Sequence, residues 1–140
     1  MICQVDYHSV LEIRKEVLWP NKNLNYVKMP FDKSTNILHL GIIDNDIINI
    51  VSLNFEEQDH DYKSMQICQL ATKKKYQGKG YGTIIMNYII CLAKEKNINK
   101  IWCNARIEKC GFYQKYGLKK TSKTYVRNGI KIIKMELILN

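Results

Sequence analysis

Apolar residues recur along the chain with two different periods, and each change of period marks an element. Val10, Leu11, Ile13, Val17 and Leu18, with Arg14 among them, fall at helical spacing and predict a helix over about 8 to 18, after a short strand from Ile2 to Val5. Trp19-Pro20 should end that helix, because the residue before a proline is pushed out of the helical region. Pro20 and Pro30 then bracket a polar stretch that reads as a loop or a broken helix. Ile37 to Ile43 and Ile47 to Phe55 are rich in Ile, Leu and Val and flank Asp44-Asn45-Asp46, the pattern of a hairpin. Met65 to Ala71 predicts a further strand after the polar Glu56 to Lys63. The clearest amphipathic helix is Gly80 to Lys96, where Tyr81, Ile84, Ile85, Tyr88, Ile89, Leu92 and Ala93 line one face. Ile101 to Cys103 reads as a short buried strand and Ile107 to Tyr116 as a short helix with Gly117 as its C-terminal cap. Two extended runs, Leu118 to Val126 and Ile130 to Leu139, flank Arg127-Asn128-Gly129, and Asn-Gly between strands is a strong hairpin signal.

The resulting order, β-α-β-β-β-α-β-α-β-β, implies a mixed sheet with helices on its faces around one core, an α/β or α+β fold. One domain is the expectation for 140 residues, of which 46% are hydrophobic. At that size folding buries roughly 65 to 70% of the surface of the unfolded chain. The longest uninterrupted apolar stretch, Tyr88 to Ala93, is far short of the roughly 18 residues of a membrane span. The first residues have neither a basic leader nor an apolar signal core, which points to a cytoplasmic protein. Five cysteines, Cys3, Cys68, Cys91, Cys103 and Cys110, form no C-x-x-C pair, and His8, His39 and His60 are scattered, so neither a disulfide framework nor a metal site is expected.

Chemistry concentrates in Lys73-Lys74-Lys75-Tyr76-Gln77-Gly78-Lys79-Gly80-Tyr81-Gly82, between a strand and the best helix. The first amides of a helix lack intrahelical partners and sit at the positive end of its dipole, so such a turn suits a phosphate. Glycines clear the side chains that would hold the phosphate away, and the lysines add positive charge at the mouth. The spacing is not that of a Walker loop, which ends in Gly-Lys-Ser/Thr. Nor is it the dinucleotide fingerprint: Thr83 and Ile85 stand where a third glycine is required, and Ile98 to Trp102 holds no acidic residue for a ribose.

Gln77-Gly78-Lys79-Gly80-Tyr81-Gly82 after Leu70-Ala71-Thr72 does resemble Q/R-x-x-G-x-G/A, the acetyl-CoA-binding motif of the GCN5-related N-acetyltransferase (GNAT) family. Phe112-Tyr113-Gln114-Lys115-Tyr116-Gly117-Leu118 is similar to that family's F-Y-x-x-x-G-F segment, with Tyr113 36 residues beyond Gln77. Gly129-Ile130 to Met135 resembles the last hairpin of small bacterial members, and the element order agrees over essentially the whole chain. The resemblance implies a mostly antiparallel twisted sheet of about seven strands flanked by about four helices. It also implies acetyl-CoA as cosubstrate and an amine as acceptor. It places backbone groups of Leu70, Ala71 and Thr72 beside the pantetheine arm, and Gln77, Gly78, Lys79, Gly80, Tyr81, Gly82 and Thr83 at the pyrophosphate.

Acyl transfer from a thioester to an amine needs a neutral nucleophile, a donor for the carbonyl oxyanion and a proton for the departing thiolate. The resemblance assigns the oxyanion to a main-chain amide near Leu70 and the proton to Tyr113, since a phenol ionising near 10 can protonate a thiolate whose conjugate acid ionises near about 8.5. Many relatives carry Asn seven residues before that tyrosine. Arg106 stands there in this chain, with Asn104 close by, so a cofactor contact is expected from Asn104 or Arg106, with an acidic acceptor as the other partner open to Arg106. For the base that relieves the amine of its proton, His39 is favoured over Glu56 and Glu57, because an imidazole is largely neutral at working pH.

With Lys and Arg exceeding Asp and Glu by 9, a nucleic-acid or ribosome-binding module is the competing class, and a non-catalytic acyl-CoA sensor on the same fold is another. The charge reads as spread along the chain with one local run at Lys73 to Lys75, and no RNP motif is present, so nucleic acid is not the expected partner. An exposed final strand would offer an edge for a homodimer. The acceptor wall is expected at Trp19 to Thr35.

Overall fold

In a computed structural model, which describes residues 1–58 and 61–139, Asp6 starts the first helix by accepting the Ser9 amide at 3.0 Å. Helix α1 (Tyr7–Leu18) follows β1 (Ile2–Gln4) and stops at Trp19, ahead of Pro20. The stretch to residue 36 stays in turns, with no helix of its own. Strands β2 (Ile37–Ile42), β3 (Asn49–Gln58) and β4 (Tyr62–Thr72) come next. They are followed by α2 (Tyr81–Glu95), β5 (Lys100–Arg106), α3 (Cys110–Gln114), β6 (Lys119–Arg127) and β7 (Ile130–Ile138). Single 3-10 turns at Lys74–Tyr76 and Ile107–Lys109 lead into α2 and α3. Among the described residues there are thus three α-helices, because the proline-bracketed stretch supplies none. The hydrogen-bonded strand order is β1-β2-β3-β4-β5-β7-β6. The β1–β2, β2–β3, β5–β7 and β6–β7 pairs are antiparallel, and β4–β5 is parallel. His60 lies outside the described residues.

Two compact units are interleaved in sequence. One comprises Met1–Asn54 and Cys68–Ile90, the other Phe55–Ile67 and Cys91–Asn140. In the first, Val5, Val10, Ile13, Ile50 and Ala71 form a buried apolar cluster against which Val17, Leu18, Ile43 and Ile47 pack. The spacing of Val10, Ile13 and Val17 on α1 is what delivers them to one side. Arg14 on the same helix is fully buried and gives both guanidinium arms to Asp32, at 2.8 and 2.9 Å. Its Nη1 also bonds the Val27 carbonyl and its Nη2 the Ser52 hydroxyl, both at 2.9 Å. Asp32 further accepts the Met29 amide at 2.8 Å and the Tyr7 hydroxyl at 2.7 Å. The irregular stretch between the prolines is therefore held by a buried ionic knot rather than by secondary structure, which satisfies the requirement that buried charges be paired and hydrogen-bonded.

In the second unit one sheet face is apolar, and the other mixes Trp102, Asn104, Lys134 and Glu136 with the buried Ile132. Ile101, Cys103 and Ala105 of β5 pair with Leu137, Met135 and Ile133 of β7, and all but Leu137 are buried. Helix α3 lies against β6 and β7, and just beyond it a Cβ at Gly117 would meet Leu137. The last hairpin turns at Asn128 and Gly129, with φ of 51° and 77°, the two left-handed positions that an Asn-Gly turn supplies. This hairpin corrects the expectation of an exposed final strand. Folding back at Gly129 inserts β7 between β5 and β6, so the edge belongs to β6. Cys68, Cys103 and Cys110 are buried, Cys3 is half-buried and Cys91 exposed.

Candidate functional site

Strand β4 delivers the chain into the glycine turn. Gly78 and Gly80 both have positive φ, 75° and 90°, which any residue with a Cβ adopts only under strain, and no protein atom lies within 4 Å of where a Cβ would stand. The first helical bond of α2 runs from the Ile84 amide to the Gly80 carbonyl at 3.1 Å, so the amides of residues 81–83 precede the helical ladder. The turn is thus open above its backbone and ends in a helix N-terminus, the arrangement that suits a pyrophosphate. Gln77 closes it from below, donating its side-chain amide to the Thr72 carbonyl at 2.8 Å. Asn49, at the start of β3, is buried. Its side-chain carbonyl accepts the Ile42 amide at 3.0 Å, and its side-chain NH2 reaches the Tyr81 carbonyl at 3.4 Å.

The lysines before the turn divide into two groups. Asp46, in the β2–β3 turn, accepts Lys73 Nζ at 2.9 Å, the Tyr76 hydroxyl at 3.0 Å and Lys75 Nζ at 3.2 Å. These bonds, Lys73 first, hold its carboxyl far below the usual range, and the same contact raises the Lys75 ammonium. Lys73 and Lys75 therefore fasten the entry to the turn, while Lys74 and Lys79 are exposed and supply the positive charge around it. Sequence alone counted the four lysines as equivalent; the pairing depends on a residue in a different hairpin.

Gln69 was not singled out from sequence. It has φ of 53° inside β4, a left-handed residue in a strand and the mark of a bulge, one position before Leu70. Glutamine gives no composition signal for such a backbone, unlike glycine or asparagine. The register of β4 with β5 runs from Ser64↔Lys100 to Ile67↔Cys103, ahead of the bulge. Leu70 and Thr72 are half-buried and Ala71 is buried in the apolar cluster of the first unit.

His39 on β2 is half-buried, and both of its ring nitrogens are engaged. Nε2 lies 3.0 Å from the Asp32 carbonyl, which can only accept, so Nε2 carries a proton. Nδ1 lies 2.6 Å from the Ser52 hydroxyl, whose oxygen in turn accepts Arg14 Nη2. The imidazole thus extends the Arg14–Asp32 knot, and its ring stands 5.6 Å from that of Tyr7. In the same knot, burial and the Asp32 contact push the Tyr7 hydroxyl up to about 12. Burial by itself raises the Asp32 carboxyl, but bonds from Arg14, Met29 and Tyr7 outweigh it and leave it below the ordinary range. Glu56 is half-buried and Glu57 exposed.

The remaining candidates belong to the second unit. Tyr113, on α3, is buried, with its ring 5.2 Å from Phe112 in an edge-on arrangement. Asn104 is exposed on β5, and Arg106 is half-buried where β5 meets the 3-10 turn. No group of three His, Cys, Asp or Glu that could hold a metal occurs among the described residues, and none of the described helices is long and apolar enough to cross a membrane.

Known proteins resemble this chain along its length. An N-acetyltransferase of Bacillus subtilis (strain 168), named Uncharacterized N-acetyltransferase YitI, is 25% identical over 129 residues, covering 90% of this chain and 87% of its own. The crystal structure of an acyl-CoA N-acyltransferase from Pseudomonas aeruginosa superposes with a TM-score of 0.76 at 17% identity, covering 97% of this chain and 96% of that one. A GNAT family acetyltransferase from Elizabethkingia anophelis, solved with acetyl-CoA bound, gives 0.70 at 20% identity and covers 99% and 97%. Residues 30–139 match the Acetyltransferase (GNAT) domain, a span that includes β4, the glycine turn, α2 and the last hairpin. The chain belongs to the GNAT acetyltransferase family.

Proposed function

We propose that residues 1–140 act as one N-acetyltransferase domain that moves the acetyl group of acetyl-CoA to an amine. The observation that carries this reading is the turn at Gln77–Gly82: two left-handed glycines with open space above them, leading into the N-terminus of α2. Those features fit a pyrophosphate, with Gln77, Gly78, Lys79, Gly80, Tyr81, Gly82 and Thr83 holding it through backbone groups and the helix dipole. The thioester supplies an activated acyl group, and everything else falls to the protein. The bulge at Gln69 supports a donor role for the Leu70 amide, because a left-handed residue takes the amides that follow out of the regular ladder. Leu70, Ala71 and Thr72 are assigned to the pantetheine arm, and Asn104 and Arg106 to the cofactor's polar groups.

Tyr113 is proposed as the acid that protonates the departing thiolate. For the amine's proton the proposed base is His39, on a condition set by its partners. Nε2–H is committed to the Asp32 carbonyl, so Nδ1 is the basic nitrogen, and it can take a proton only as the Ser52 hydroxyl turns away from it. A thiol-release assay with acetyl-CoA and a panel of amines tests the reading. Turnover on at least one amine that is abolished in Gly80→Asp supports it. Tight acetyl-CoA binding without turnover on any amine would instead make the chain an acyl-CoA sensor.

A further inference from the structure

The positive charge of the chain is concentrated rather than even. From Lys109 to Lys134 there are eight Lys and Arg and no Asp or Glu, so this stretch carries +8 of the net +9. It forms no long run of adjacent cations, because most of these residues are spaced three or four apart. Antiparallel pairing in the β6–β7 hairpin then draws six of them together.

Register decides which of them share a face. Residues opposite one another in a ladder point the same way, as do residues two apart along a strand. The pairs Trp102↔Glu136, Asn104↔Lys134, Lys119↔Glu136 and Tyr125↔Ile132 therefore set Trp102, Lys119, Tyr125 and Lys134 on the face opposite to the buried Cys103, Ile133 and Met135. Lys134 Nζ stands 4.6 Å from the centre of the Trp102 ring. Burial, and then the nearby charges of Lys123 and Lys100, lower its hold on its proton, with Glu136 and Glu56 acting the other way. Glu136 approaches Lys100 at 4.0 Å. Tyr125 is 48% exposed, and Lys119 and Lys123 are exposed. Among the described residues neither of these two lysines has an ion-pair partner.

Crowding like charges on one face works against the folded chain, and a polyanion laid across it relieves the repulsion. An acidic peptide would satisfy the cations and leave the rings unused. A single-stranded nucleic acid uses both, with phosphates on the cations and bases on the aromatic faces. Trp102 and Tyr125 project from positions about 13 Å apart along β7, four residues at about 3.3 Å each, which leaves room for intervening nucleotides. We propose that this face, from Trp102 to Tyr125 across β5, β7 and β6, docks single-stranded nucleic acid. The proposal does not depend on acetyl transfer.

Fluorescence anisotropy with a labelled mixed-sequence RNA of about 20 nucleotides tests it. The full chain should bind in low salt, and the affinity should fall with added salt by about 0.7 in the log–log slope for each phosphate neutralised. Tyr125→Ala should weaken binding about tenfold, and Lys123→Glu with Lys119→Glu by more, with a shallower slope. Neither change should reduce the thermal shift given by acetyl-CoA, which separates this surface from the glycine turn and shows that the variants fold. Absence of RNA binding in low salt overturns the proposal. Equal binding of polyglutamate, with no effect of Tyr125→Ala, overturns it in favour of an acidic protein partner.

Discussion

Asp46 takes the ammonium of Lys73 at 2.9 Å across 27 residues of sequence, and the Tyr76 hydroxyl at 3.0 Å on its other oxygen. The β2–β3 turn is thereby fastened to the segment that enters the glycine turn. Asp46→Asn keeps the shape and removes the charge. It should weaken acetyl-CoA binding by about tenfold, on the order of 1.4 kcal/mol in binding free energy, while kcat stays within about twofold. Steady-state kinetics at varied acetyl-CoA read the split. An unchanged KM would show that the turn keeps its shape without this anchor.

The knot around Arg14 and Asp32 is a matter of stability. Asp32→Asn leaves a buried guanidinium without its counter-charge and should cost about 3–5 kcal/mol in denaturant unfolding. The sign of the pH effect follows from the lowered Asp32 carboxyl. Its contribution is present above the ordinary carboxylate range and is lost as the pH falls through the folded value, because the unfolded chain takes up the proton first. Tyr7 acts at the other end. Its hydroxyl is held to about 12, so its contribution is complete below 10 and is lost as the pH rises toward 12. Unfolding curves of the native chain, Asp32→Asn and Tyr7→Phe across pH should show the acid and alkaline losses removed one at a time.

Tyr113→Phe should lower kcat by about a hundredfold and leave acetyl-CoA affinity nearly unchanged, since the proton is needed only as thiolate charge develops. A loss of less than about twofold would move the acid role to water or another group.

For His39 the same substitution reports two different roles. If the imidazole takes the amine's proton, His39→Gln depresses kcat/KM near neutral pH and removes the acidic limb of the pH profile. If the limb persists while the melting temperature falls, His39 serves the Arg14–Asp32 knot alone, and Glu56, Glu57 or solvent takes the proton.

What was legible in the sequence was local. The Asn128-Gly129 turn, the apolar stripe of α2 and the glycines of the turn each state their backbone requirement in a few adjacent residues, and each stands where the pattern puts it. What was not legible depends on partners distant in sequence. Arg14 sits in an apolar pattern with no sign that Asp32 will neutralise it, and nothing marks Asp46 as the partner of Lys73. The bulge at Gln69 has no compositional signal, and the cationic face emerges only when β6 and β7 pair.

Thermal denaturation with and without millimolar acetyl-CoA reads whether Gln77–Gly82 holds the pyrophosphate of acetyl-CoA. A ligand that binds only the folded state raises the melting temperature by mass action. The melting temperature should rise clearly for the native chain and not for Gly80→Asp, which sets a carboxylate in the open space above a left-handed glycine. An unchanged melting temperature for the native chain, or an equal rise in the variant, would contradict this placement of the pyrophosphate.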